Sequence, residues 1–300
     1  MRPCSGLKPV CYSDYKCVPP LELLKTFALT QLTENGRVLC IERQTAAGAL
    51  QSVAAIFPKT TPDTCKILCS AGLGGKYLSN VAFLPSQGHV VQISCGLEHA
   101  VILTSSGKLF GWGSNLCRQL DPSSSPDEAW PACRPITIPS DVDGDSDAES
   151  SVITQLSCRG WATGVLFQGG SLAMTGALSL YGLQDRAEWI LFSLVDDDAT
   201  IGMVSMGSTF VLATTSSGAL YSFGRGPMGE LGQGDRINVC TEPAVVAVMK
   251  GRIVTFVTCG DHHAAAICED SGDSALFLWG RNLSGECAVH PASGPITTPR

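Results

Sequence analysis

The sequence predicts an all-β protein of the β-propeller type, on two observations. One short motif recurs along the chain, with its sharpest copies at residues 94–99, running on to 111–115, and at 258–263, running on to 278–282. Each copy lies among mostly apolar runs of four to six residues bounded by glycine and serine, which is typical of strands buried on both faces. In an array of equivalent units, recurring residues are candidates for structural roles before catalytic ones.

The spacing of the motif fits propeller blades. Four copies align on a glycine, namely Gly113, Gly176, Gly224 and Gly280, which follows an aromatic residue in all but the second. The successive intervals are 63, 48 and 56 residues. The long first interval holds an acidic window at 121–149, which we expect to be a loop insertion. A basal period of about 50 residues remains, within the range of propeller blades.

Each unit is expected to contain strands in a fixed order. In the first unit a strand over 90–93 leads to a turn, a second strand covers 100–104, and a third covers 108–112. The other units repeat this order with degenerate sequences, and three of the four end on a proline segment, at 134–139, 242–246 and 294–299.

Two positions after the aligned glycine carry turn signals. Asn115, Gly226 and Asn282 stand two residues after it, and because Asn and Gly tolerate positive φ, we expect a left-handed turn there. Gly229 and Gly285 stand five residues after it, but the first unit departs from this pattern with Arg118, so the geometry of its turn stays open.

The first 89 residues are harder to assign. Residues 1–20 are predicted to be an irregular N-terminal segment, and 21–89 to hold diverged propeller blades. Residues 30–39 resemble one strand-turn-strand of a unit, whereas a short helix over 21–32 is the alternative. The four clear repeats cover 90–300.

Charge and composition argue against several classes of function. The formal net charge is −7, and the window 121–149 holds eight acids and one base, so it accounts for the whole excess. Without a basic excess we expect no direct nucleic-acid binding. No secretory signal and no apolar run of membrane-spanning length is present, so an intracellular protein, cytoplasmic or nuclear, is expected, with a mitochondrial address left open.

The 14 cysteines are expected to be reduced thiols, because no secretory signal precedes them. Cys95, Cys158 and Cys259 occupy one repeat position, where a small buried side chain fits. Structural zinc is the alternative, but Cys65 and Cys69 are the only close pair and no second pair stands at finger spacing. We expect no metal and no cofactor.

The sequence patterns that resemble catalytic or ligand-binding motifs are weak. His99 and His263 recur at equivalent positions, which favours packing over general-base or metal chemistry. Residues 224–229 fit Gly-x-Gly-x-x-Gly, but they lie in a repeat turn, not at a strand-to-helix junction. The phosphate-loop pattern at 70–77 and the calcium-loop pattern beginning at Asp141 both miss required residues. No catalytic residue is predicted.

The repeats resemble those of the regulator of chromosome condensation family. The resemblance rests on the Cys-Gly-x-x-His start, the aromatic-Gly-x-Asn pair, the Gly-Glu-Leu-Gly turn at 229–232 and the closing prolines, and it covers residues 90–300. The matching repeat positions, all expected to be structural, are Cys95, Gly96, His99, Gly107, Trp112, Gly113, Asn115, Gly218, Phe223, Gly224, Gly229, Cys259, Gly260, His263, Trp279, Gly280, Asn282 and Gly285.

The resemblance implies a β-propeller of four-stranded antiparallel blades, incomplete or diverged relative to the usual seven. Three interpretations of the short chain stay open: a fragment, a smaller ring closed by the N-terminal strands, or an open edge covered by a partner. The resemblance also implies function. We expect an interaction scaffold with a protein partner, and the alternative is guanine-nucleotide exchange on a small GTPase.

Overall fold

The structure, a computed structural model, describes the backbone of residues 29–33, 37–41, 52–56, 64–71 and 75–82. It also describes residues 90–125, 130–139, 152–194, 200–234, 237–270 and 273–300. The early strands are β1 (Leu29–Thr33), β2 (Arg37–Ile41), β3 (Ser52–Ile56), β4 (Thr64–Ala71) and β5 (Gly75–Ala82). Strands β1 and β2 pair antiparallel, as the strand-turn-strand prediction requires, and β3, β4 and β5 form a separate sheet. The helix alternative is wrong from residue 29 onward, and residues 21–28 lie outside the described part.

Residues 90–300 form four antiparallel sheets, named here blades A to D. Blade A contains β6 (Val90–Cys95), β7 (His99–Thr104), β8 (Leu109–Gly113) and β9 (Trp130–Ile136); blade B contains β10 (Ile153–Arg159), β11 (Ala162–Phe167), β12 (Leu172–Gly176) and β13 (Ile190–Phe192). Blade C contains β14 (Ile201–Met206), β15 (Phe210–Thr215), β16 (Leu220–Arg225) and β17 (Val239–Val245); blade D contains β18 (Ile253–Cys259), β19 (His263–Asp270) and β20 (Asp273–Gly280). The predicted strand order is therefore confirmed.

The closing proline segments occupy the fourth-strand position. In blades A and C they lie in or directly after β9 and β17. In blade D, Ile296 bridges to Gly280, and the Leu278 N–H donates to the Arg300 carbonyl over 3.0 Å. The window 121–149, expected to be one loop, is therefore interrupted by a strand, because β9 completes blade A there. Its acidic residues from 141 onward lie outside the described part.

The apolar core lies between neighbouring blades. The first strands β6, β10, β14 and β18 contact one another in succession, as strands around a propeller axis do. Three clusters of buried side chains then fill the A/B, B/C and C/D interfaces. In each blade, alternate residues point to the preceding blade and to the following one, which explains why the strands are apolar on both faces.

One backbone hydrogen bond recurs in all four blades. The residue after the aligned glycine donates its N–H to a carbonyl in the turn between the first two strands, at 2.7–2.9 Å. The four glycines have φ between +104° and +116°. A Cβ on any of them would meet that carbonyl oxygen, at 2.6 Å in the case of Gly224 and Thr209. Glycine is needed here for both its positive φ and the close approach.

We predict that Gly224→Ala destabilises the protein by about 3 kcal/mol. Roughly 1–2 kcal/mol comes from the positive φ and the remainder from the clash with the Thr209 carbonyl. Urea unfolding at constant pH measures the change.

The matched control is Gly107→Ala, because Gly107 also has a positive φ of 75° but nothing lies within 4 Å of its would-be Cβ. This variant should lose only about 1 kcal/mol. Equal losses in the two variants would contradict the assignment of the close approach.

Candidate interaction face

The turns and loops at one end of the blades form a single surface. Because the strands of each blade alternate in direction, the turn between strands one and two lies at the same end as the loop between strands three and four. We call this end the loop face. Its turns are at 96–98, 160–161, 207–209 and 260–262, and its loops begin at residues 114, 177, 226 and 281.

The loops of blades A, B and C each contact the next blade through a hydrogen bond. The Thr163 hydroxyl of blade B donates to the Gln119 carbonyl of blade A over 2.6 Å, and the Trp279 indole of blade D donates to the Glu230 carbonyl of blade C over 2.8 Å. The blade B loop makes the equivalent contact through the buried Tyr181 hydroxyl, which donates to the Gly207 carbonyl over 2.8 Å. The loop face is therefore built on bonds between blades.

Asparagine side chains brace two of these loops from within. The Asn115 Oδ1 accepts from the Leu120 N–H over 2.8 Å, and its Nδ2 donates to the Asp121 carbonyl over 3.0 Å. Asn282 does the same with the Cys287 N–H and the His290 carbonyl. The prediction of a left-handed backbone at Asn115, Gly226 and Asn282 is wrong, since none of them has positive φ. The asparagines recur for their amide groups.

The turn at Arg118 does not depart from its equivalents. Arg118 has φ of 63°, in the same left-handed region as Gly229 at 85° and Gly285 at 84°. An arginine there carries backbone strain of roughly 1–2 kcal/mol that glycine avoids. The bond from the Thr175 hydroxyl to the Arg118 carbonyl, at 2.9 Å, helps to hold this conformation.

The Cys-Gly-x-x-His motif is explained by packing of a ring on the glycine. A Cβ on Gly96 would overlap the His99 imidazole, and a Cβ on Gly260 would overlap the His263 ring. Blade C has Phe210 stacked on Gly207 in the same way. Blade B has Ala162 at the ring position, and there the glycine is replaced by Arg159, because no ring occupies the space.

His99 is a buried, neutral side chain. Its Nε2 lies 2.8 Å from the Thr163 hydroxyl, whose own proton is donated to the Gln119 carbonyl, so Nε2 carries the hydrogen. Burial lowers the pKa of His99 to about 3, and the backbone of Ala162 offsets only part of this shift. Burial also lowers the pKa of His263, chiefly opposed by the charge of Glu286. The geometry of both fits a packing role.

The loop face displays three apolar side chains at equivalent places. Leu116 and Leu283 are each 59% exposed, and Pro227 is also exposed; each stands four residues after the aromatic residue of its blade. Sequence reasoning missed them. The signal was available, since two leucines follow the braced asparagines directly.

The loop face also carries charged groups. Asp261 receives the Arg159 guanidinium at 3.0 Å and the Ser208 hydroxyl at 2.9 Å, which ties the turns of blades B, C and D together. The Glu230 carboxylate is buried, accepts the Met228 N–H over 2.7 Å, and lies 3.6 Å from the half-exposed His262 imidazole.

The tryptophans outside the repeat frame are core residues. Trp130 and Trp189 are buried in the A/B cluster, so neither side chain is presented on the surface. The aromatic residues before the aligned glycines, Trp112, Phe223 and Trp279, are buried, whereas Trp161 in the blade B turn is half-buried.

The described cysteines show no sign of chemical activation. None of the eight cysteines in the range 90–300 is in a disulfide. Burial raises the pKa of the Cys259 thiol to about 12, although a bond with Ser205 opposes the shift. Within the described ranges, no cluster of three or more His, Cys, Asp or Glu side chains could hold a metal ion. Over the same residues, no helix has the length and apolarity needed to cross a bilayer.

The nucleotide-like patterns do not have the required structural context. Residues 224–229 lead from β16 into the blade C loop, with no helix after them. The Gly72–Lys76 pattern joins β4 to β5 of one antiparallel pair. The pattern starting at Asp141 lies outside the described residues.

The described architecture defines a repeat protein of the β-propeller class, and comparisons with known proteins identify the repeat. The family model of the regulator of chromosome condensation (RCC1) repeat matches residues 217–267, and a second model of the same repeat matches residues 90–119. Both matches begin and end within the blades described above.

The curated relatives are much longer than this chain. The E3 ubiquitin-protein ligase HERC2 of Homo sapiens is 29% identical over 203 residues, which are 65% of this chain and 4% of HERC2. The ultraviolet-B receptor UVR8 of Arabidopsis thaliana is 25% identical over 210 residues, which are 67% of this chain and 43% of UVR8. The chain thus spans less than half of either relative.

Solved structures show the same fold. Human WBSCR16 superposes with a TM-score of 0.64 at 17% identity, covering 83% of this chain and 64% of the other. Prp20p of Saccharomyces cerevisiae superposes with a TM-score of 0.63 at 16% identity, covering 83% and 60%. The chain thus shares the propeller fold of these structures, and its residues 90–119 and 217–267 match the RCC1 repeat.

We predict that His99→Phe flattens the pH dependence of stability. His99 is neutral in the folded protein with a pKa of about 3, while the unfolded chain takes up a proton near pH 6.5, so its contribution is complete above 6.5 and declines as pH falls. Between pH 7 and pH 5 the wild type should lose about 2 kcal/mol relative to the variant.

Urea unfolding at both pH values measures this difference, and the comparison at pH 7 isolates the packing effect of the substitution. Phenylalanine is a fair replacement because Phe210 already occupies this position in blade C. An equal loss on acidification in wild type and variant would contradict a buried neutral His99.

Proposed function

We propose that the chain is a protein-interaction module and that the loop face is its binding surface. The observation that carries the proposal is the equivalent exposure of Leu116, Pro227 and Leu283 on loops held by hydrogen bonds. The loops of Leu116 and Pro227 are bonded to the next blade, and the loop of Leu283 is held by the Asn282 brace. Exposed apolar side chains ringed by polar groups are typical of protein-binding surfaces.

The hydrogen bonds that fix the loops favour binding of a partner by the exposed apolar side chains. The Asn115 and Asn282 braces already hold their loops, and the Asn115 loop is also bonded to blade B, so these loops lose little conformational freedom when a partner docks. Each leucine that becomes buried in the complex would contribute about 1.5–3 kcal/mol. Two such residues could act as binding hot spots.

The proposal is one of binding and not of covalent chemistry. The described thiol of Cys259 is held protonated, and His99 is buried away from the surface. The groups that remain on the loop face are ion pairs such as Arg159 with Asp261, which suit recognition of a charged and apolar protein surface.

Guanine-nucleotide exchange on a small GTPase is the alternative that an experiment must separate. Prp20p, whose fold this chain shares, was described together with its binding properties to Gsp1p and histones. A module that only binds would recover a stable partner, whereas an exchange factor would speed release of labelled nucleotide from a GTPase at catalytic concentration.

We predict that the double variant Leu116→Asp, Leu283→Asp reduces partner recovery at least tenfold in quantitative affinity purification. Its unfolding midpoint should stay within a few tenths of a molar in urea, since both side chains are exposed.

The matched control is Val248→Asp. Val248 is 49% exposed and lies between β17 and β18, at the opposite end of the blades. Partners recovered equally by wild type and control but lost by the double variant would support the loop face. Recovery unchanged in the double variant would overturn it, and nucleotide release across a panel of small GTPases would establish the alternative function.

A further inference from the structure

An arginine with positive φ stands in the blade A loop where the equivalent loops have glycine. Arg118 has φ of 63°, and the residues at the same place in blades C and D are Gly229 and Gly285. Glycine adopts this conformation freely, whereas a residue with a Cβ is strained in it. Since glycine fits the turn in two blades, the turn itself does not require an arginine. Residues held in such conformations concentrate at functional sites.

The hydrogen bonds of Arg118 with the rest of the fold are made by its backbone. Its N–H donates to the Asn115 carbonyl over 2.9 Å, and its carbonyl accepts the Thr175 hydroxyl of blade B over 2.9 Å. Its guanidinium forms no hydrogen bond or ion pair with any residue that the structure describes. A glycine would make both backbone bonds equally well, so the side chain is free to serve another purpose.

The blade C loop presents a second arginine of this kind. Arg225 is exposed, and within the described ranges no acid pairs with it. A Cβ on Gly182 of the blade B loop would lie 3.5 Å from the Arg225 Cγ and Nε, so the arginine stem runs along that loop. The equivalent residue of blade D differs, because the Arg281 guanidinium is already bound to Glu286 at 3.1 Å.

Each unpaired arginine stands two residues from an exposed apolar side chain. Arg118 follows Leu116, which is 59% exposed, and Arg225 precedes the exposed Pro227. Arg118 is bonded to blade B through Thr175, and Arg225 lies along the blade B loop, so the two arginines flank that loop. The loop face therefore offers two guanidiniums, each beside an apolar contact point.

Acids of the neighbouring loops bind within their own loops. The Asp121 carboxylate accepts the Ser123 N–H over 2.9 Å. The Asp185 carboxylate accepts the Ser179 N–H over 2.7 Å. Because the loop face carries acids as well as bases, it does not attract an acidic partner through a general positive field. Recognition of acids here depends on direct contact with the unpaired guanidiniums.

We propose that Arg118 and Arg225 select the partner of the loop face, and that this partner presents carboxylates beside an apolar segment. The planar guanidinium group binds a carboxylate through two parallel hydrogen bonds, which gives both strength and orientation. The apolar side chains of the partner pack on Leu116 and Pro227. This inference rests on the function proposed for the loop face and adds the chemistry of the partner to it.

Selection of displayed random peptides of about a dozen residues on the full chain tests the proposal with a defined probe. Peptides enriched on the wild type should carry Asp or Glu beside Leu, Ile or Phe. The double variant Arg118→Gly, Arg225→Gln should bind them about tenfold more weakly or worse. Added salt should weaken binding by the wild type more than binding by this variant.

The matched control is Ala288→Gly. Ala288 lies in the blade D loop and also has a positive φ, of 58°, but it carries no charge. This variant should bind the peptides as the wild type does. In urea unfolding, Arg118→Gly alone should not lower the midpoint, because glycine adopts the same φ without strain. A lower midpoint would assign the Arg118 side chain to the fold and overturn its role in selection.

The leucine variant of the loop face separates two kinds of failure. Peptides lost by Leu116→Asp, Leu283→Asp that carry no acids, or that bind the arginine variant equally well, would overturn this inference and leave the proposed function standing. If no enriched peptide were sensitive to the leucine variant, the proposed function would itself be contradicted, and the inference with it. Acidic peptides lost by both variants would support the two together.

Discussion

The hydrogen bond from the residue after each aligned glycine to the turn between the first two strands governs the geometry of all four blades. It joins the end of the third strand to the turn at the same end of the sheet. The bond is short enough that only glycine, at φ above +100°, leaves room for the turn carbonyl. The loop to the fourth strand leaves from this fixed point, so the direction of the loop is set by backbone geometry and not by its own sequence.

Because this hydrogen bond recurs in every described blade, the residues that make it belong to the scaffold, whereas the loop residues that differ between blades form the binding surface. The turn glycine of the Cys-Gly-x-x-His motif and the ring three residues after it can both be replaced without disturbing the blade. In blade B, Arg159 and Ala162 occupy these two positions. The loop residues that follow are free to differ in their exposed side chains, because Asn braces and inter-blade bonds hold their backbones. A rigid frame with variable loops is the physical basis for binding by a propeller.

Much of this fold could be predicted from the sequence because its strongest signals are local. Apolar runs between Gly and Ser turns identified the strands, and the recurring glycine identified the blade frame. The role of Asn115 and Asn282 could not be predicted, since the same residues suit a left-handed backbone or a side-chain brace. The conformation of Arg118 could not be predicted either. A hydrogen bond from blade B helps to hold this arginine at a positive φ that glycine usually adopts.

The surfaces were less accessible to sequence reasoning. Strand β9 could not be predicted within the acidic window 121–149. It forms by pairing with β8, and no local sequence pattern indicates this long-range contact. Leu276 and Ile267 are apolar strand residues, so the sequence predicts that they are buried, but both side chains are exposed. Exposure depends on what lies beside the blade, which the residues of the blade do not encode.

Amide hydrogen exchange at the residues after the four glycines tests the central claim most directly. If the shared bond sets the blade geometry, the N–H groups of Ser114, Ala177, Arg225 and Arg281 should all exchange slowly, at rates close to those of the strand amides. Rapid exchange at these four positions, as fast as at the exposed loop residues Leu116 and Leu283, would contradict the account.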